Sequence, residues 1–230
     1  MISPEAYYER NLKGKNEKQL LSAIRGLKNE IGHLKNVIEH PNYGNELTIR
    51  PSESVRISCI REYLAYAIQK LEEMGGTYQP SKAERKVINF QNNLVYVSKI
   101  TFEMGGFFDG MTKYVLEFNE NEVLFTSSKF DLILDEKVIE KDEIMYLLSR
   151  LHIGEWKKYY DPKRFRYDVL DRIQWSVIFE YSNGHKKEKF AGSNDYPYNF
   201  NEFMDIFCLD NVEIPIIKLK VLRRTECTFG

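Results

Sequence analysis

The chain has 230 residues, 43% of them hydrophobic, and its 33 Lys and Arg against 34 Asp and Glu leave a net charge of −1. That is enough for one large domain or two small ones with a packed core, and it argues against a dedicated, strongly basic nucleic-acid binder. No apolar run is long enough to span a bilayer, and Cys59, Cys208 and Cys227 are too few and too scattered for a disulfide framework.

The opening MISPEAYYERNLKGK lacks the apolar core of a signal peptide, so a cytoplasmic protein without membrane contact is expected. Asn16 opens the first strong helix, with Gln19 placed to complete a capping box. Leu20, Ile24, Leu27, Ile31, Leu34 and Ile38 then step by four and three, a heptad seam. Pro41 stops it, and Ser52 is placed to cap a second helix with a seam of Ile57, Ile60, Leu64, Ala67 and Leu71, ended by Gly75-Gly76. Two seamed helices joined by a modest loop predict an antiparallel helical hairpin over residues 1–76. Tyr63 and Tyr66 lie off the second seam and are candidate contacts for a partner or a second copy.

Ser81 and Glu84 form another capping box, opening a short helix to about Asn92. Tyr96, Ile100, Phe102 and Met104 then mark one face of a strand, Tyr114, Leu116 and Phe118 a second, and Val123 to Thr126 a third, which together read as a three-stranded meander. The Gly105–Gly110 connection carries no Lys-Ser/Thr pair and opens no helix, so it fails as a phosphate loop. It reads as a turn that presents Phe107, Phe108 and Asp109 to a partner, since adjacent phenylalanines in a turn are hard to bury together. Asp142 is placed to cap a helix carrying Ile144, Leu147, Leu148 and Leu151. From Glu103 to Glu143 eleven acidic residues face four basic ones, whereas the C-terminal Lys218, Lys220, Arg223 and Arg224 have no acid beside them. Ile214 to Val221 reads as a further strand with Lys218 and Lys220 on its outer face.

The stretch from Arg172 to Phe207 is the most legible. Ile173, Trp175, Val177, Phe179 and Tyr181 alternate with mostly polar residues, predicting a strand with one face on a core. Asn183-Gly184 suits a type I′ hairpin turn, and the charged return from His185 to Phe190 suits a protected edge strand. Gly192 to Pro197 reads as an ordered loop presenting Asn194, Tyr196 and Tyr198, a position where ligand contacts are common. Asn199, with Glu202 at its third position, reads as the cap of a helix striped by Phe200, Phe203 and Phe207. The run Trp175-x5-Tyr181-Ser182-Asn183-Gly184, followed by Gly192-Ser193-Asn194-x-Tyr196-Pro197-x-Asn199-Phe200, resembles a pattern recurring in uncharacterised proteins of Firmicutes and their mobile elements. It covers about the last third of the chain. The resemblance implies a bacterial or mobile-element source and a recurring module, with no activity attached.

The remaining chemistry is sparse. His33, His40, His152 and His185 have no Cys or His neighbour at ligand spacing, and no nucleophile motif is present. Asp131, Asp135 and Glu136 are the best carboxylates for an alternative metal-dependent nuclease or phosphodiesterase. Trp156, Lys157, Lys158, Lys163, Arg164 and Arg166 interleave cations with aromatics, as a nucleic-acid-binding regulator would. The expected architecture is α+β: the helical hairpin (1–76), a meander with flanking helices (77–152), and a hairpin-plus-helix module (153–230), the last two being either one domain or two. The leading functional expectation is a non-catalytic macromolecule-binding protein without cofactor. It would be an adaptor or stoichiometric inhibitor acting on a protein partner, with homodimerisation through the helical hairpin as one route.

Overall fold

The structure, a computed structural model, describes residues 2–44, 51–106, 110–166 and 173–207. The fold is α+β, and it divides into two compact units, Met1–Arg85 and Lys86–Gly230. The expected contact residues Phe107, Phe108 and Asp109, and the strand expected over Ile214–Val221, lie outside the described residues.

The first unit is built on α2 (Glu17–Glu39) and α3 (Glu53–Glu73), an antiparallel hairpin with α1 (Pro4–Asn11) added. Asn16 and Gln19 close the expected capping box, and Leu20, Ile24, Leu27, Ile31 and Leu34 are buried. Each buried Leu or Ile contributes about 1.5–3 kcal/mol relative to exposure. Ser52 occupies the cap position of α3 without a side-chain hydrogen bond. The second seam also departs from expectation, because Tyr63 is buried where Leu64 was expected. The cause is α1, whose Tyr7 ring stacks on Tyr63 at 4.2 Å, while Tyr63 Oη donates to the Ile2 carbonyl. Tyr8 meets Tyr66 edge-on, and Lys70 lies over the Tyr66 ring. Tyr63 is therefore consumed by internal packing, and Tyr66 is flanked by α1 and Lys70.

The expected Ser81–Glu84 box opens α4 (Lys82–Asn93). The Glu84 carboxylate also accepts from Tyr78 and from Lys28 of α2 at 3.0 Å. Partial burial opposes ionisation, but hydrogen bonds from Tyr78, Ser81 and Lys28 outweigh it and hold the Glu84 carboxyl down at about 2.

The second unit contains a single seven-stranded sheet: β1 (Val97–Gly106), β2 (Gly110–Phe118), β3 (Glu122–Lys129), β4 (Leu132–Glu140), β5 (Tyr159–Tyr160), β6 (Gln174–Tyr181) and β7 (Glu188–Ser193). The order across it is β4-β3-β2-β1-β6-β7-β5, antiparallel except for the β5–β7 pair. The meander thus has a fourth strand, β4, that the alternation of residues does not announce. Ile100, Phe102 and Met104 face the core as expected, but Tyr96 is exposed in a 3-10 turn and Val97 is buried instead. A bulge at the start of β1 shifts the alternation there.

α5 (Lys141–Arg150) and α6 (Phe200–Asp205) supply the rest of the core. α5 buries Ile144 and Leu148, and its cap position is Glu140, with Asp142 in the first turn. Phe200, Phe203 and Phe207 are all buried and all pack against Phe102 of the central strand.

The β6–β7 connection is longer than a two-residue turn. Gly184 has φ +78° but Asn183 is not in the left-handed region, so the expected type I′ turn does not form. The Asn183 side chain instead accepts from the His185 amide and donates to Asn93, while Ser182 binds the Tyr96 carbonyl. β7 starts at Glu188 rather than His185, and β5 covers part of its outer side.

Candidate functional site

The residues expected to meet a ligand in the C-terminal loop instead lock the second unit together. Trp175 and Trp156 meet edge-on, 6.1 Å between ring centres. Trp175 Nε1 donates to the Asp195 carbonyl at 2.9 Å, and Trp156 Nε1 donates to the Asn199 side chain at 2.8 Å. Asn199 reaches on to the Leu151 carbonyl, so its buried amide ties two segments instead of capping α6. Asn194, with φ +50°, exchanges two hydrogen bonds with Ile173. Tyr196 stacks on Trp175 and packs on Phe200, and Tyr198 Oη reaches Glu155. At Gly192 a methyl group would sit 2.5 Å from Trp175 Nε1, so the indole lies against bare backbone. Trp175, Gly192, Asn194, Tyr196, Asn199 and Phe200 thus meet in one knot, and their spacing in the sequence has a structural reason.

The basic–aromatic stretch is drawn into the same knot. Trp156 and Tyr160 are buried, which removes both rings from base stacking. Arg164 clamps the buried Asp195 carboxylate through Nε at 2.6 Å and Nη2 at 2.8 Å. Lys158 pairs with Glu188 and lies 4.3 Å over the Phe190 ring, and Lys157 lies over Tyr160. Lys163 and Arg166 remain at the surface, as does Tyr159. Sequence interleaving alone does not reveal Asp195 and Glu188, the two acids that engage these cations from a distance.

The carboxylates proposed for a metal do not converge. Asp135 and Glu136 are neighbours on β4 and point to opposite faces of the sheet, and Asp131 sits in the preceding turn. Among the described residues no group of three or more His, Cys, Asp or Glu is placed to hold a metal ion.

The feature that stands out lies at β4, the outermost strand of the sheet among the described residues. β3 and β4 are joined by Phe130-Asp131, with φ +50° and +60°. Consecutive positive φ values form the tight hairpin turn that favours Asn-Gly; Asp131 tolerates this conformation, but the bulky Phe130 is poorly suited to it. Phe130 is 73% exposed, with the tip of its ring against the backbone of Gly110. Leu132, Ile133 and Leu134 follow at 69%, 65% and 60%, and Val138 at 61%. A bulge between Ser127 and Ser128 and β4 places one extra residue in this run.

Four large apolar side chains within five residues are thereby exposed, beside Asp131, Asp135, Glu136 and Glu140. No strand among the described residues pairs with the outer edge of β4, and an edge of this kind can accept an added strand. Apolar side chains, acidic groups and such an edge together make a surface that can receive an extended, apolar and basic segment. Sequence reading missed it because LILDEKVIE shows neither the period of a half-buried strand nor that of a helix.

No helix of the described residues is long and apolar enough to cross a membrane. In comparison with known proteins, the chain matches no family model, no curated protein and no solved structure.

Proposed function

We propose that this is a non-catalytic binding protein, of bacterial or mobile-element origin, that acts stoichiometrically on a protein partner as an adaptor or inhibitor. The partner contributes an extended segment that joins the sheet alongside β4. The observation that carries this reading is the run of exposed Phe130, Leu132, Ile133 and Leu134 on an outermost strand. Such an edge is an aggregation liability, which proteins ordinarily blunt with charge or cover, and a run of this kind is most readily accounted for by a partner. The local acidity, eleven acidic against four basic residues from Glu103 to Glu143, favours a basic peptide over a polyphosphate. The engagement of Lys158 and Arg164 by acids of the same unit weighs in the same direction.

The test uses the wild type and the double variant Leu132→Ser/Leu134→Ser as baits in a bacterial lysate. Both side chains are mostly exposed, so the variant keeps its fold, within about 0.5 kcal/mol of wild-type stability. A partner held by the wild type and lost from the variant supports the reading. A partner retained equally by both refutes it.

A further inference from the structure

The acidic β4 edge has a counterpart at the far end of the same sheet. From Asp131 to Glu143 the chain places six acidic residues against two basic ones. Residues 156–166 and 185–189, which carry β5 and lead into β7, place eight Lys and Arg against two acids. Asp195 holds Arg164, Glu188 pairs with Lys158, and Glu180 pairs with Lys187. Lys157, Lys163, Arg166, Lys186 and Lys189 stand at the surface and give this end an excess of positive charge.

Apolar surface accompanies the charge at both ends. On β4 it is Leu132, Ile133, Leu134 and Val138, and on β5 it is the exposed Tyr159. In the register Tyr159 stands beside Ala191, and Lys189 beside Ile178. These four share the face of the sheet turned away from the buried Phe190 and Trp175. The aliphatic stems of lysines can lie along leucine and isoleucine while their ammonium groups stay in water beside carboxylates.

The two ends cannot satisfy each other within one chain. β4 and β5 are the outermost of the seven strands among the described residues, six strand spacings apart, about 28 Å. Two like ends do not satisfy each other either. β4 against β4 about a two-fold axis sets acids on acids, and the β5–β7 end against its copy sets lysines on lysines. Opposite ends of two copies match in sign and in apolar content. We propose that the β4 edge of one copy docks on the β5–β7 end of a second copy, head to tail. Each copy added leaves one acidic and one basic end open, so association continues as an open chain instead of stopping at a dimer. This inference rests on β4 being the binding surface. It makes a second copy the competitor of the partner segment, which ends the chain wherever it occupies β4.

Analytical ultracentrifugation of the full-length protein tests it, with two variants that each disable one end. Leu132→Ser/Leu134→Ser alters the β4 edge, and Lys186→Glu/Lys189→Glu reverses charge at the other. All four side chains are exposed, and circular dichroism checks that both variants fold. The wild type should form species that grow with concentration in low salt. It should return to monomer in about 1 M salt, where charges are screened beyond about 3 Å. Each variant alone should stay monomeric. Their equimolar mixture should give a one-to-one dimer and nothing larger, because one intact end of each kind remains. A wild type that is monomeric at every concentration overturns the proposal, as does association that persists in high salt. Self-association of the lysine variant alone also overturns it, pointing to β4 against β4, and so does a mixture that stays monomeric. The two readings fail separately. Head-to-tail assembly without capture of a partner refutes the adaptor or inhibitor alone, and Leu132-dependent capture by a protein that never self-associates refutes the head-to-tail contact alone.

Discussion

Arg164→Leu distinguishes a structural cation from a phosphate contact. The Arg164 guanidinium holds Asp195 through two charge-assisted hydrogen bonds, and the Asp195 side chain is 3% exposed against 23% for Arg164. With leucine in place, the donor that remains to the carboxylate among the described residues is the Tyr196 amide, at 3.0 Å. Removing one partner of a fully buried pair costs about 3–5 kcal/mol, because the other charge is left uncompensated. The partial exposure of Arg164 lets water reach the carboxylate and lowers the expected loss to about 2–4 kcal/mol. That is a large share of the roughly 5–15 kcal/mol that holds a domain folded. Trp156 and Trp175, the only two tryptophans in the chain, both lie in the knot around Asp195. Urea unfolding followed by tryptophan fluorescence therefore reports on the right region. Asp195→Asn, alone and combined with Arg164→Leu, completes a cycle, and the two single losses together should exceed the loss of the double variant by at least about 1 kcal/mol. A loss under about 0.5 kcal/mol for Arg164→Leu would refute the clamp as a stabilising contact and return Arg164 to the list of surface cations.

Glu84→Gln should lower the stability of the helical unit by about 1–2 kcal/mol at neutral pH, measured by circular dichroism, with the gap closing in acid. The sign follows from a carboxyl held below its ordinary 4.5, at about 2: its contribution is present above pH ~4.5 and is lost as pH falls toward 2. A gap that stays constant from pH 6 to 2.5 would contradict the network with Tyr78 and Lys28. Gly192→Ala should cost at least about 2 kcal/mol in the same urea assay, since its methyl meets both Trp175 and the Asp195 backbone; a neutral effect would show that the indole has room to move. Phe130→Asn/Asp131→Gly, which places the favoured residues in a turn at φ +50° and +60°, should raise stability by about 1 kcal/mol while weakening partner capture. Unchanged capture would remove Phe130 from the binding surface.

How much of this was legible depended on whether a residue's role was local. The helices announced themselves through three-and-four spacing and through the Asn16–Gln19 and Ser81–Glu84 boxes, whose hydrogen bonds close within three residues of sequence. The phenylalanines of α6 were equally plain. α1 escaped because its eight residues bury nothing fully, and its tyrosines matter only through Tyr63 and Tyr66 far along the chain. Asn183-Gly184 carried the strongest hairpin signal, yet Asn183 is recruited by Asn93. The tight positive-φ turn formed instead at Phe130-Asp131, where Asp131 tolerates the conformation but Phe130 gives no sign of it. The candidate site was missed for a related reason. An outermost strand that buries Ile139 alone has no alternation to read, and acids beside exposed leucines look in sequence like an ordinary loop. The cations of residues 157–166 were visible, but the carboxylates that hold two of them come about thirty residues later.

Hydrogen exchange on the captured complex tests the central claim most directly. With a partner isolated on the wild-type bait and the complex reconstituted from pure components, the account predicts new protection concentrated in Leu132–Glu140, with little change in α2, α3 or residues 156–166. Protection over the helical hairpin or the 156–166 stretch, with β4 exchanging as in the free protein, would contradict it.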